Sequence, residues 1–155
     1  MDIVVRLSKD AELLARLNEP VQELHRSLYP EYFKEFNYED NLTYYKDQLG
    51  RDGFYCYVVS VDGNDAGYAL FFIRKYEENP FRYAYLGIHI DQICILPIYK
   101  RKGLGSILME KIRSFGIEKG ATQLELTYWE DNLEAKTFYD HKGFKTNFRF
   151  VAKQI

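Results

Sequence analysis

The order of apolar patterns along the chain predicts a mixed α/β fold: one domain, residues 1–155, with a central, largely antiparallel twisted sheet of six to seven strands flanked by helices. Three observations carry this. In the first half, strand-like alternation is broken by Asp62-Gly63-Asn64-Asp65, a tight-turn sequence that marks an antiparallel hairpin. The second half alternates strand-like and helix-like segments, as strand-helix-strand units do. The chain of 155 residues is 46% hydrophobic and shows no repeat, linker or low-complexity segment, which suits a single sizeable core.

Each element follows from local chemistry. Ile3-Val4-Val5-Arg6-Leu7 is a first strand, and Ser8 is placed to cap a helix carrying Ala11, Leu14, Ala15 and Leu17. Pro20 can open a second helix with Val21, Leu24 and Leu28 on one face, and Pro30 should end it. Residues 31–50 carry a further helical pattern. Strands follow at Gly53–Val61, Ala66–Tyr76 and Tyr83–Leu96. Gly103–Lys119 is an amphipathic helix with Gly120 as its C′ residue. Gln123–Trp129 is a strand, Asp131-Asn132-Leu133-Glu134 resembles a capping box opening a helix that ends at Gly143, and Phe144–Val151 is a last strand.

Composition excludes several classes. A net charge of −2 argues against general nucleic-acid binding, so any anion site must be local. MDIVVRLSKD is too short and too charged for a signal peptide, and no run approaches the ~20 apolar residues of a membrane span. Cys56 and Cys94 lie in strand-like runs, as reduced core thiols of a cytoplasmic protein would. His25, His89 and His141 are scattered, and no metal site is expected.

The long strand contains a phase slip. Ile88 and Ile90 share one phase of the alternation, Ile93 and Ile95 the other. One extra residue at Asp91-Gln92 restores the pattern, which is a β-bulge; a strand buried on both faces is the alternative. Such a bulge opens a slot in which another extended molecule can pair with the free edge. Directly afterwards come Lys100, Arg101 and Lys102, then Gly103-Leu104-Gly105-Ser106 at the start of a helix. Unsatisfied N–H groups, glycines and cations together form an anion cradle. It is neither a P-loop nor a dinucleotide fingerprint, whose third glycine position holds Leu108.

Lys100-Arg101-Lys102-Gly103-Leu104-Gly105 resembles the Gln/Arg-x-x-Gly-x-Gly/Ala signature of the GCN5-related N-acetyltransferases, the GNAT family. The preceding DQICILPIY resembles that family's bulged fourth strand, and Asn132, Ala135, Phe138-Tyr139 and Lys142-Gly143-Phe144 its downstream motif. The resemblance is close over residues 83–150 and extends to the earlier elements in order only. Two positions depart from it: Lys100 stands where Gln or Arg is usual, and Arg101 where Gly is common.

The resemblance implies acetyl-CoA as donor and co-substrate of an acetyl-CoA-dependent N-acetyltransferase. The diphosphate would rest on the N–H groups from Arg101 to Ser106, the pantetheine arm on the backbone around Ile93, Cys94 and Ile95, with Asn132 and Lys136 contributing from the downstream helix. The Ile95 N–H would polarise the thioester carbonyl. Tyr139 matches the tyrosine that returns a proton to the CoA sulfur; a tyrosine packed beside Phe138 is the alternative. Asp91 is the expected base, acting through water, and a solvated charge or ion pair is its alternative; His89 is the runner-up. Asn132 also suits simple helix capping.

For the acceptor, the stretch LYPEYFKEFNYEDNLTYY (28–45) offers Glu31, Glu35, Glu39 and Asp40 with Tyr29, Tyr32 and Tyr38, a set able to hold a cationic amine of a small molecule or peptide. Core aromatics and solvated acids are the favoured account of most of them. A non-catalytic acetyl-CoA sensor and a protein-interaction module are the rival functions. FKTNFRFV is a plausible edge for a homodimer.

Overall fold

A computed structural model describes all residues from Met1 to Ile155. The sheet grows outward from a two-residue hairpin. Strands β2 (Phe54–Val61) and β3 (Asn64–Tyr76) are joined by Asp62 and Gly63, both at positive φ (49° and 79°), as a twist-matched turn demands. β1 (Ile3–Leu7) pairs antiparallel with β2, β4 (Tyr85–Ile95) antiparallel with β3, and β5 (Gln123–Leu126) parallel with β4. The order is β1-β2-β3-β4-β5.

Helices cover both faces. α1 (Ala11–Leu17), α2 (Glu19–Leu28) and α3 (Tyr38–Leu49) lie on one. There Leu14 and Leu49 pack on Cys56, Val58, Tyr68, Leu70 and Cys94. α4 (Leu104–Glu118) covers the other, where Leu104, Leu108, Ile112 and Phe115 pack on Val59, Phe71, Ile88 and Ile90. α5 (Leu133–His141) follows β5, and a short 3-10 turn (Pro97–Tyr99) leads into α4.

Five strands form, where six to seven were expected. Residues 144–151, expected as a last strand, have no regular structure: their alternation suits an edge, but no strand here pairs with them. The third helix starts at Tyr38 rather than near residue 31, because Asn37 Oδ1 caps it by accepting from Asp40 N at 3.0 Å. Asp10, not Ser8, caps α1, accepting from Leu13 N at 2.9 Å. Asn132, not Asp131, caps α5. Cys56 and Cys94 are free and buried. No helix is long and apolar enough to cross a membrane.

Candidate active site

The site begins where β4 and β5 part. Gly87–Ile90 pair with Gln123–Leu126, and the partnership ends there. On its other side β4 stays paired with β3, but the register shifts between Leu70 and Phe71: Phe71 faces Ile90, Leu70 faces Gln92, and Asp91 has no partner. This is the bulge that the phase slip predicts. Before it Ile88 and Ile90, and after it Ile93 and Ile95, all pack on the α4 side. Residues 91–95 therefore present an edge that β5 does not fill.

Cys94 faces the opposite way. Its Sγ donates to the carbonyl of Leu17 at 3.1 Å, and burial pushes its thiol up to about 11. Only its backbone is available to the slot.

The glycine loop closes one end of this edge. Gly103 is the N-cap of α4 at φ +78°, no side chain caps the helix, and the first helical bond runs from Ile107 N to Gly103 O. The N–H groups of Leu104, Gly105 and Ser106 are thus the orphans of a first turn, carrying the positive end of the helix dipole. A Cβ on Gly103 would meet nothing within 4 Å, so the loop's outer side is open. Gly105 has another reason: a Cβ there would lie 3.3 Å from the Phe138 ring of α5. Leu104 is a core side chain.

The three cations divide their work. Lys100 Nζ bonds both oxygens of Glu134 at 2.9 Å, tying the loop to α5. Lys102 lies over the Tyr99 ring, 5.3 Å from its centroid. Arg101 sits at φ +61°, a conformation that costs a side-chain residue about 1 kcal/mol. The position suits glycine, the residue the family motif favours there. Arg101→Gly is expected to raise the melting temperature of the ligand-free chain by about 2–4 °C, measured by thermal denaturation, while removing one charge from the loop.

α5 brings the remaining candidates. Asn132 Oδ1 accepts from Ala135 N at 3.1 Å, so its oxygen serves the helix cap. Lys136 is exposed on the same helix. Tyr139 packs against Tyr128, Phe138 and Phe144, with ring centroids 5.3–5.7 Å apart, beside the cluster that Ile93 and Ile95 join. Burial pushes its phenol up to about 12. Asp91 retains an exposed face, yet the protein around it raises its carboxyl above the ordinary range, with nearby His89 pulling the other way.

Three features have no local sequence signal. Trp129, the single tryptophan, collects Tyr29, Tyr32 and Phe33 at 4.5, 5.5 and 5.1 Å between centroids. The Tyr29 hydroxyl also accepts from Asp131 N at 3.0 Å. These aromatics fill one another's space rather than lining an empty cage, Tyr38 packs against the core, and Glu35 pairs with Arg26 at 2.9 Å. Second, the Glu125 carboxylate on β5 accepts from Tyr76 at 2.6 Å and Gln123 at 2.8 Å. It lies 3.4 Å from His89 Nδ1, which has no hydrogen-bond partner. Burial raises this carboxyl, but the bonds it accepts outweigh burial and leave it lowered. Third, Gln92 Oε1 accepts from the Tyr45 and Tyr68 hydroxyls, each at 2.7 Å.

With a splayed strand pair, a bulge and an uncapped glycine turn in place, similarity decides the family. The sequence matches the acetyltransferase (GNAT) family over residues 19–144. The chain belongs to the GNAT family. It is 32% identical over 108 residues to an uncharacterized N-acetyltransferase of Lactobacillus delbrueckii subsp. lactis, covering 65% of this chain and 60% of that protein. The GNAT fold also superposes on BH1408 from Bacillus halodurans, at TM-score 0.90 and 20% identity, covering 98% and 99% of the two chains. A third similarity is to the aminoglycoside N-acetyltransferase AAC(6')-Iy in complex with CoA, at TM-score 0.71 and 16% identity over 99% and 95% of the chains. No group of three or more His, Cys, Asp or Glu side chains is arranged to hold a metal ion.

Proposed function

We propose that this chain is an acetyl-CoA-dependent N-acetyltransferase acting on a primary amine by direct attack in a ternary complex. The observation that carries the proposal is the coincidence, in a GNAT chain, of an open β4 edge at residues 91–95 with the uncapped, glycine-opened start of α4. Similarity to AAC(6')-Iy, whose structures include one with CoA and one with a bisubstrate analogue, supports the same reading.

Acetyl-CoA supplies the activated acetyl group as a thioester. The first turn of α4 and Arg101 would hold its diphosphate, and the edge Ile93–Ile95 its extended arm. Asp91 accepts a proton from the acceptor ammonium, through water, so that the amine nitrogen can attack the carbonyl carbon. The carbon–sulfur bond breaks, Tyr139 gives a proton to the departing thiolate, and the second proton that the nitrogen loses in becoming an amide restores the phenol.

The acceptor in this proposal is a cationic amine, drawn by the acidic body of the chain. Residues 141–155 hold four cations and no acid, so residues 1–140 carry −6 of the net −2. That basic tail also leaves Phe148 and Phe150 76% and 91% exposed, and β5 has no strand on its outer side. A homodimer through the tail satisfies both, and sedimentation of a Phe148→Asp, Phe150→Asp variant as monomer against a wild-type dimer checks it. Residence in the cytoplasm completes the proposal.

The deciding experiment is thiol release from acetyl-CoA across polyamines, aminoglycosides, amino acids and basic peptides, after calorimetry of donor binding. Release with one class establishes the transferase. Donor binding without release across the panel favours a sensor, and no binding rejects the donor site.

Asp91 gives a pH test. Its folded carboxyl titrates above the ordinary value. The acid limb of kcat/KM should therefore lie above the usual carboxylate range, activity rising as the proton leaves. For stability, a raised carboxyl contributes most below its unfolded pKa, and that contribution is lost as pH rises through the folded one. Asp91→Asn should accordingly melt higher at neutral pH and lose at least ~10-fold in kcat/KM. An unchanged pH profile in the variant would remove Asp91 from proton transfer.

A further inference from the structure

A line of hydrogen-bonded side chains, buried at its centre, joins the loop before α3 to the bulge on β4. Gln22 Nε2 donates to the carbonyls of Lys34 and Glu35 at 3.2 and 3.4 Å. Asn41 Nδ2 donates to Gln22 Oε1 at 3.1 Å and to Asn18 Oδ1 at 3.0 Å. Asn18 Nδ2 donates to the Tyr68 hydroxyl at 2.9 Å. Tyr68 and Tyr45 each donate to Gln92 Oε1 at 2.7 Å, their own oxygens 3.1 Å apart. Asn18, Tyr45 and Tyr68 are almost wholly buried.

The direction of this line is dictated by its chemistry. Asn18 spends an amide hydrogen on the Tyr68 oxygen, so the Tyr68 hydrogen needs an acceptor elsewhere. Tyr45 needs one in the same place. Neither phenol has water to turn to, and a carboxamide oxygen with two lone pairs answers both. Gln92 is therefore fixed in side-chain direction and in amide orientation by partners on α3 and β3.

Gln92 immediately follows Asp91, the residue the bulge leaves unpaired. A bulge is specified only as well as the residues flanking it, since moving it by one position reverses the facing of the residue it passes, and losing it sends every later side chain to the other face. With Gln92 pinned to the α1–α3 side, Ile93 and Ile95 must face α4, and the extra residue can only be Asp91. We infer that Gln92 is a positioning residue for the reaction. Clamped by Tyr45 and Tyr68, it sets the bulge, and with it both the strand edge offered to the donor and the direction of Asp91. The inference rests on the reading of residues 91–95 as the donor edge. It adds a cause: the edge is held open by a polar clamp from the opposite face of the sheet.

The test is calorimetry of CoA binding to wild type, Gln92→Leu and Tyr45→Phe, with melting temperatures and amide exchange at residues 90–95. Gln92→Leu should bind CoA ~10-fold more weakly and exchange faster at Ile93–Ile95. Tyr45→Phe removes one of the two donors while Tyr68 keeps its bonds to Asn18 and Gln92. It should fold normally and bind ~3-fold more weakly, which decides the matter if Gln92→Leu does not fold. A purely structural network would lower the melting temperature and leave the affinity of folded protein unchanged. Affinities within 2-fold of wild type in the folded variants would therefore overturn the clamp alone. A wild-type protein that does not bind CoA would overturn the donor site, and the clamp with it.

Discussion

Tyr139→Phe is expected to lower kcat by ~10² while changing CoA affinity less than 2-fold. The substitution removes one oxygen from a ring wedged among Tyr128, Phe138 and Phe144, and those contacts survive in phenylalanine. Burial alone raises the phenol, so no intramolecular partner is stranded and the fold should be unaffected. A phenol titrating at about 12 is a weak acid toward a thiolate whose thiol ordinarily titrates near ~8.5. The same apolar surroundings raise the thiol as well, because burial penalises every anion, and the mismatch narrows as the sulfur leaves. The raised value has a second consequence. Tyr139 stays protonated through pH 10, so it should contribute no alkaline limb to kcat in that range. Its stability contribution is complete below the unfolded phenol pKa and is lost only as pH rises through about 12. Equal steady-state turnover in wild type and Tyr139→Phe would end the assignment of this residue as proton donor.

Parts of this architecture were legible because their signals are local. The phase change between Ile88, Ile90 and Ile93, Ile95 locates the bulge to Asp91-Gln92, since side chains on a strand alternate strictly and only an inserted residue reconciles two phases. The amphipathic pattern starts the helix at Gly103, and Gly103 is its N-cap, at φ +78°. Illegible features depend on partners far along the chain. Gly105 looked like a phosphate-cradling glycine, but the ring it must admit belongs to Phe138 on another helix. Lys100 looked like a free cation and is spent on Glu134. The acidic, aromatic stretch 28–45 suggested a cation cage as one of two accounts, and Trp129 occupies the middle of its rings. Residues 144–151 carry an edge-strand pattern without a strand to pair with: alternation records what a segment can do, and pairing requires a neighbour that only topology supplies.

Gly67→Ala should cost more stability than any other single methyl added at a glycine of this chain. Gly67 on β3 lies opposite Ile95 on β4, and a Cβ there would stand 2.3 Å from the Cys94 carbonyl oxygen and 2.7 Å from Ile95 Cδ1. The first obstacle is backbone, so no rotamer change relieves it; β4 itself must move. Overpacking of this kind costs about 3 kcal/mol, roughly a 6–12 °C fall in melting temperature for a domain of this size. The displaced segment is Cys94–Ile95, part of the proposed donor edge, so CoA affinity should fall together with stability. Gly63→Ala separates the two effects. Gly63 sits at the hairpin tip at φ +79° with open space around it, so an added methyl meets conformational strain but no neighbour. That variant should lose about 1 kcal/mol and bind CoA as wild type does. If instead Gly67→Ala melts within 2 °C of wild type with unchanged CoA affinity, β3 and β4 do not approach as closely as described. If the two variants weaken CoA binding equally, affinity is tracking global stability, and the special place of Cys94–Ile95 in donor binding is lost.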